Sequence, residues 1–373
     1  MTGIWLGPFA VFFCSSFVEP IGDAVFNTAP HSITAFHMQL DASQPHELQT
    51  YLARNGWIDT DEILLSLTKP GEGNMNYALR VQTNARSLIV KQARPYVEKY
   101  PAIAAPVERA VMEGQFYQRI ARNPTLRTAM PELLGADKDE SLLVLEDLGE
   151  SSDYTYLYRG TVSGPDHTLG SGELGELVRF ISLLHNQFRA AQPDPAFANQ
   201  AMRTLNAEHL FNYPFLAENG FDLDTVQPGL QAVALPYKHD NVLKKAVAAL
   251  AEQYTSNNHA GLCSLLHGDY YPGSWLHTQA GTRVIDPEFC FYGPAEFDLG
   301  VMLAHLHMAR QPETVLTQTL AQYEHPDGFD EHLLRQFTGV EIMRRLIGLA
   351  QLPLSLSLHE KETLLAKAAQ MIG

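Results

Sequence analysis

Basic residues and cysteine are the scarce components of this 373-residue chain. Lys and Arg number 26 against 42 Asp and Glu, a net charge of −16. A chain so acidic, with no basic run, lacks the positive field that nucleic-acid backbones demand and would be repelled by anionic membrane surfaces. Three cysteines, Cys14, Cys263 and Cys290, are too few and too scattered for a disulfide framework or a cysteine-rich metal site, which fits a reducing, cytoplasmic setting. Long hydrophobic runs are missing too. The most apolar stretch, 4–18, is shorter than the roughly 20 residues that span a bilayer, is broken by Gly7 and Pro8, and has no Lys or Arg ahead of it. A secretory signal would carry such a positive region. Residues 1–37 are therefore expected to be a poorly ordered extension, with Met38 a plausible alternative start.

What remains is globular: 45% hydrophobic and 18% charged residues. Short apolar runs at 64–69, 77–83 and 87–93 are separated by Gly71–Asn74 and Asn84–Ala85, the pattern of an antiparallel meander. A helix is expected from Val107 to Ile120 after Pro106, and a buried strand from Leu142 that ends in acidic residues and Gly149. Beyond Gly149 the pattern is mostly helical (174–186, 242–254, 299–309, 332–351), interrupted by a hairpin at 275–286. The expected architecture is α+β and bilobed: the extension 1–37, a small antiparallel-sheet lobe over 38–149, and a larger, mainly helical lobe over 150–373.

The hairpin carries the chemistry. His267-Gly268-Asp269 precedes it and Asp286-Pro287-Glu288 closes it, so the two acidic sites should lie side by side. In extended chain, residues at i and i+2 point the same way. Asp269, Asp286 and Glu288 would then converge on a hard cation, most plausibly Mg²⁺, with Ser274 as a further oxygen ligand. The plainer reading of any one of these acids is a cap or turn former. Upstream, Gly71-Glu72-Gly73-Asn74 reads as a turn able to approach a phosphate or simply as a hairpin turn, Lys91 as a strand lysine, and Glu113 as its helix partner or a solvated acid. Arg344 and Arg345 lie in an apolar helix, where they either pair with Glu341 at i−3 and i−4 or grip oxyanions. His267 is read as holding the loop, Cys290 as core. His305 and His307 do not share a helix face and should not bind zinc.

The order of these parts, glycine turn, strand lysine, helix glutamate, linker, loop aspartate, hairpin, second aspartate, is that of the protein-kinase template. The motifs resemble the methylthioribose kinase branch of the aminoglycoside-phosphotransferase-like, protein-kinase-like superfamily. Gly73-Asn74-Met75-Asn76, the Lys91 strand, Glu146-Asp147-Leu148, His267-Gly268-Asp269 with Gly273-Ser274, Val284–Phe289 with Phe291–Pro294 and Phe297-Asp298, and the Arg344–Arg345 helix all carry it. It runs from about Leu64 to Ala350. Tyr270-Tyr271-Pro272 departs from the family pattern on the acceptor side, and Glu108, Arg109 and 153–159 fit less well.

The resemblance implies an ATP- and Mg²⁺-dependent kinase acting on a small-molecule hydroxyl. Asp269 would take or orient the acceptor proton. Asp286, Glu288 and Ser274 would hold Mg²⁺. Gly71, Gly73, Asn74, Lys91 and Glu113 would serve the phosphates, and backbone groups of Glu146 and Leu148 the adenine. Arg344, Arg345, Tyr270 and Tyr271 would face the acceptor. A methylthioribose-like sugar is the first candidate. Other sugars, amino alcohols, aminoglycosides and a silent nucleotide-binding module are the alternatives, and a homodimer is left open.

Overall fold

The computed structural model describes residues 38–71, 75–159, 167–256 and 263–373. Residues 38–373 form one compact unit. Helix α1 (Pro45–Arg54) starts at a proline, which suits a first helical turn because its missing N–H is not needed there. The first sheet is built from β1 (Leu64–Thr68), β2 (Tyr77–Thr83) and β3 (Ser87–Gln92), followed, after a small ribbon of β4 (Tyr96–Val97) and β5 (Tyr100–Ala104), by β6 (Leu133–Asp137) and β7 (Leu142–Glu146). Its order is β1-β2-β3-β7-β6 and all its pairings are antiparallel. The alternation of Leu79, Val81, Leu88, Val90, Leu142 and Val144 buries one face against Met38, Leu40, Leu48 and Leu52. Each such side chain contributes roughly 1.5–3 kcal/mol on full burial.

Helix α2 (Arg109–Ile120) packs on β6 and β7, and the short α3 (Pro124–Thr128) follows it. The helix begins at Arg109 rather than Val107, because residues 107–108 form a turn whose Val107 carbonyl accepts from Ala110.

After Gly149 come β8 (Ser151–Asp153) and a six-residue 3₁₀ segment, Tyr154–Arg159. The helical part that follows comprises α4 (Ser171–Gln187), α5 (Gln200–Ala207), α6 (Leu230–His239), α7 (Asn241–Thr255), α8 (Glu296–Met308), α9 (Glu313–Gln322), α10 (Glu331–Ile347) and α11 (Leu358–Ile372). It holds more strand than the sequence pattern indicates. β9 (Arg189–Ala190), β10 (Cys263–Leu266) and β13 (Phe291–Gly293) form one three-stranded sheet, and β8 with the hairpin β11 (Trp275–Thr278) and β12 (Gly281–Val284) another. β10 and β13 are buried on both faces, so they lack the alternation that reveals a strand. Helix α10 stops at Ile347 rather than Gln351, because Gly348 is fully extended.

Candidate active site

Strand β3 sits between β2 and β7 and carries Lys91, opposite Ala78 and Leu143. Its ammonium is buried and donates to Glu113 Oε1 on α2 at 3.0 Å and to Asp286 Oδ1 at 2.6 Å. Burial alone would lower the lysine pKa, but the carboxylates of Asp286 and Glu113 outweigh it and keep the ammonium charged. Glu113 is completely buried, and that burial pushes its own pKa up against the pull of Lys91.

The His267-Gly268-Asp269 loop leaves β10 and is held from below by Asp298. One Asp298 oxygen accepts from the His267 N–H at 2.7 Å and the other from the Gly268 N–H at 2.9 Å. His267 Nε2 faces the Ile285 carbonyl at 2.9 Å and so carries the proton, while Nδ1 faces the Asp269 N–H at 3.4 Å. Burial lowers its pKa, so this histidine is a neutral brace. Gly268 has φ +85°, and a Cβ there would lie 2.1 Å from the Phe289 carbonyl oxygen. Only glycine lets the two loops approach so closely. Ser274 Oγ donates to the Asp269 carbonyl at 2.8 Å, and the Ile285 N–H donates to the Ser274 carbonyl. The hairpin thus joins the two acidic loops as its spacing indicates.

The carboxylates themselves diverge from expectation. Asp286 is left-handed (φ 63°, ψ 52°) and Pro287–Phe289 form a single 3₁₀ turn, so the extended i, i+2 geometry is not present. A non-glycine residue in this region is strained, a feature concentrated at functional sites. The Asp286 side chain remains 45% exposed with one oxygen on Lys91. Glu288 is buried. Its Oε2 accepts from Asn76 Nδ2 at 2.8 Å and lies 3.4 Å from Arg109 Nε. Asp269 Oδ1 meets Arg345 instead. Among the described residues no group of three or more carboxylate, histidine or cysteine side chains is gathered as a metal cage. The expected convergence of Asp269, Asp286 and Glu288 on one point is therefore not formed, because each has a different cationic partner.

On the far side, Glu341 accepts from Arg345 Nε at 2.6 Å and from Arg344 Nη1 at 3.1 Å, and Arg345 Nη2 reaches Asp269 Oδ1 at 3.4 Å. Pairing with Glu341 and reaching the site are both realised, by Arg345 at once. Burial raises the Asp269 pKa, and the two arginines oppose it. Tyr271 lies under Arg345, whose guanidinium carbon sits 4.9 Å from the ring centroid. Tyr270, expected on the acceptor side, is instead a core residue. It is fully buried, stacks on Phe180 and donates to the Leu177 carbonyl. Its side chain turns inward while that of Tyr271 faces the site.

At the connector, the Glu146 N–H already donates to the Glu132 carbonyl, so what Glu146 can offer an adenine is its carbonyl. Arg80 clamps the next residue, Asp147, through Nε at 2.7 Å and Nη2 at 3.0 Å, and Leu148 follows, half-buried. Gly71 is exposed just beyond β1. Gly73 and Asn74 lie outside the described residues.

A sequence profile described as the phosphotransferase enzyme family matches residues 66–337. The chain belongs to this family. A protein of Exiguobacterium sibiricum named methylthioribose kinase is 31% identical over 254 residues, covering 65% of this chain and 61% of the relative. One from Bacillus cereus with the same name is 25% identical over 344 residues, covering 81% and 84%. Among solved structures, the choline kinase LicA of Streptococcus pneumoniae aligns with a TM-score of 0.49 at 12% identity, over 87% of this chain and 97% of that one. As its family and its kinase-named relatives imply, this phosphotransferase is a small-molecule kinase.

Two buried polar residues bonded to the candidate site escaped the sequence reading. Arg109 is fully buried and donates to Asn76, to the carbonyls of Arg94, Pro106 and Met75, and sits beside Glu288. Its signal was its position four residues before Glu113, on the same helix face. His305 bonds Tyr158 and Glu341, and nothing in a lone helical histidine announces that.

Proposed function

We propose that this phosphotransferase moves the γ-phosphoryl group of ATP to a hydroxyl of methylthioribose or a closely similar neutral sugar. The observation that carries the reading is the contact of Arg345 with Asp269. It puts guanidinium charge on the acceptor side of the candidate base, where Arg344 also sits. A cationic acceptor such as an amino alcohol or aminoglycoside would meet like charge there, whereas sugar hydroxyls and a new phosphate ester suit arginine's fixed donors.

Phosphoryl transfer depends on positioning and charge more than on covalent chemistry. Asp269, one oxygen held by Arg345, orients the acceptor hydroxyl and takes its proton with the other. Lys91, held by Glu113, places the α- and β-phosphates. Glu146 and Leu148 offer backbone groups to the adenine, and the glycine turn would serve the phosphates, as the sequence resemblance implies. For Mg²⁺ the donor set fits: it is all oxygen, Asp286 is half-exposed with Oδ2 not engaged by Lys91, and Glu288 keeps Oε1 clear of Asn76 and Arg109. Asp286, with Glu288 and Ser274 behind it, would hold the ion, which when bound neutralises triphosphate charge. Arg344, Arg345 and Tyr271 line the acceptor side.

An ADP-release screen over methylthioribose, other sugars, choline, ethanolamine and aminoglycosides tests the reading. The expected result is the highest kcat/KM for methylthioribose. A cationic acceptor turned over best, or no turnover at all, overturns it.

A further inference from the structure

Arg345 does not reach Asp269 unaided. Its Nε is fixed on Glu341 Oε1 at 2.6 Å, and that same oxygen accepts from His305 Nε2 at 3.0 Å. A carboxylate can only accept, so Nε2 carries the proton and His305 Nδ1 is bare. Nδ1 in turn lies 2.5 Å from the Tyr158 hydroxyl, which must be its donor. Glu341 and His305 are completely inaccessible and Tyr158 is 2% exposed. The chain of contacts Tyr158–His305–Glu341–Arg345–Asp269 therefore has one consistent set of donors and acceptors, sealed from water over its first three members.

We propose that His305 and Tyr158 are positioning residues for the phosphoryl-transfer site, setting the guanidinium of Arg345 against Asp269 through Glu341. The inference rests on the kinase reading above. Several observations support a role beyond packing. Glu341 takes both arginines, so its orientation decides which guanidinium edge is left for Asp269. A carboxylate can rotate about its last bond, and the His305 proton on Oε1 removes that freedom. The Tyr271 ring, 5.0 Å from the His305 ring and 4.9 Å from the Arg345 guanidinium carbon, packs against both and closes the chain from the site side. Burial holds His305 down to about pKa 4, so it stays neutral at neutral pH, and its two partners fix the tautomer. Tyr158 lies near the end of the Tyr154–Arg159 segment, and its carbonyl accepts from the Ser355 N–H beyond α10. The positioning chain thus links three stretches remote in sequence to one carboxylate.

His305→Leu, His305→Gln and Tyr158→Phe test this in the full-length protein. Gln can still donate to Glu341, whereas Leu cannot. The expected result is a kcat loss of about 10- to 100-fold in His305→Leu, the scale set by small misplacements at a reacting centre. KM for ATP should stay within about twofold, since the phosphates rest on Lys91. His305→Gln should recover most of the loss. Should His305→Leu fail to fold, Tyr158→Phe, which deletes one hydroxyl, decides with a smaller fall in kcat. Unchanged kcat in a folded variant overturns the proposal, as does a loss that Gln does not rescue or that appears equally in KM for ATP. Crystal structures of wild type and variant give an arm independent of turnover: the Arg345–Asp269 contact should be present in the first and lost in the second. If the wild type phosphorylates no acceptor, the kinase reading fails while this contact still judges the positioning role.

Discussion

Lys91 Nζ lies 2.6 Å from Asp286 Oδ1 although 195 residues separate them. The contact ties the central strand of the first sheet to the loop that closes the β11–β12 hairpin. With Glu113 on its other side, the ammonium is held between two carboxylates, an arrangement in which removing one partner strands a buried charge.

Asp269→Asn should lower kcat by roughly two to four orders of magnitude, the range for loss of a general base. Calorimetry should show ATP affinity little changed, because the phosphates do not rest on Asp269. Turnover equal to wild type would remove Asp269 from its role.

Asp286→Ala should abolish the Mg²⁺ dependence of ATP binding, and Glu288→Ala should weaken it less. Titration of ATP with and without Mg²⁺ measures both. Wild-type Mg²⁺·ATP affinity in Asp286→Ala would mean that the ion is held elsewhere.

Arg345→Lys should cut kcat/KM for the acceptor by about 30- to 150-fold, equivalent to about 2–3 kcal/mol for a lost charge-assisted hydrogen bond. Lysine has no planar fork and cannot serve Glu341 and Asp269 together. Arg344→Lys, which keeps a cation near Glu341, should cost less. Melting temperatures of both variants separate this effect from loss of fold: an activity loss matched by a large fall in Tm would make both arginines structural.

Glu360 caps α11 and receives Arg310. The Arg310 hydrogen bonds, then those of Ser357, hold its carboxyl down to about 2 from an ordinary 4.5. A depressed carboxylate pKa stabilises the fold fully above the unfolded value and loses that contribution as the carboxylate is protonated. The stability advantage of wild type over Glu360→Gln should therefore be constant above about pH 5 and shrink as pH falls from 4.5 towards 2. Urea midpoints across that range would show it, and a difference independent of pH would sink the assignment.

The readable parts of the sequence were those governed by local pattern. Alternation along 77–92 gave the strands around Lys91, and the hairpin between Asp269 and Asp286 was legible because turn residues and short apolar runs report it directly. The geometry of Asp286–Glu288 was not, since a left-handed backbone at a non-glycine residue comes from tertiary packing rather than local preference. Tyr270 and Tyr271 show the same limit. Two identical neighbours take opposite fates because the Phe180 ring and the Leu177 carbonyl wait for one of them, and no rule of spacing conveys that. Arg109 stayed hidden because most of its partners are backbone carbonyls, from three separate stretches.

Helix α2 grips Asp286 through Glu113 and Lys91, and Glu288 through Arg109 and Asn76. The two grips differ in kind. Arg109 is entirely buried and saturated with acceptors, so that end behaves as a fixed fulcrum. The Asp286 carboxylate is half-exposed, and a triphosphate can compete with it for Lys91. Helix α2 thus meets the metal loop through one sealed contact, at Arg109, and one open to solvent, at Asp286. Under the proposed function, a triphosphate taking over Lys91 would leave the Asp286 carboxylate available to hold Mg²⁺, while the Arg109–Glu288 contact stayed in place.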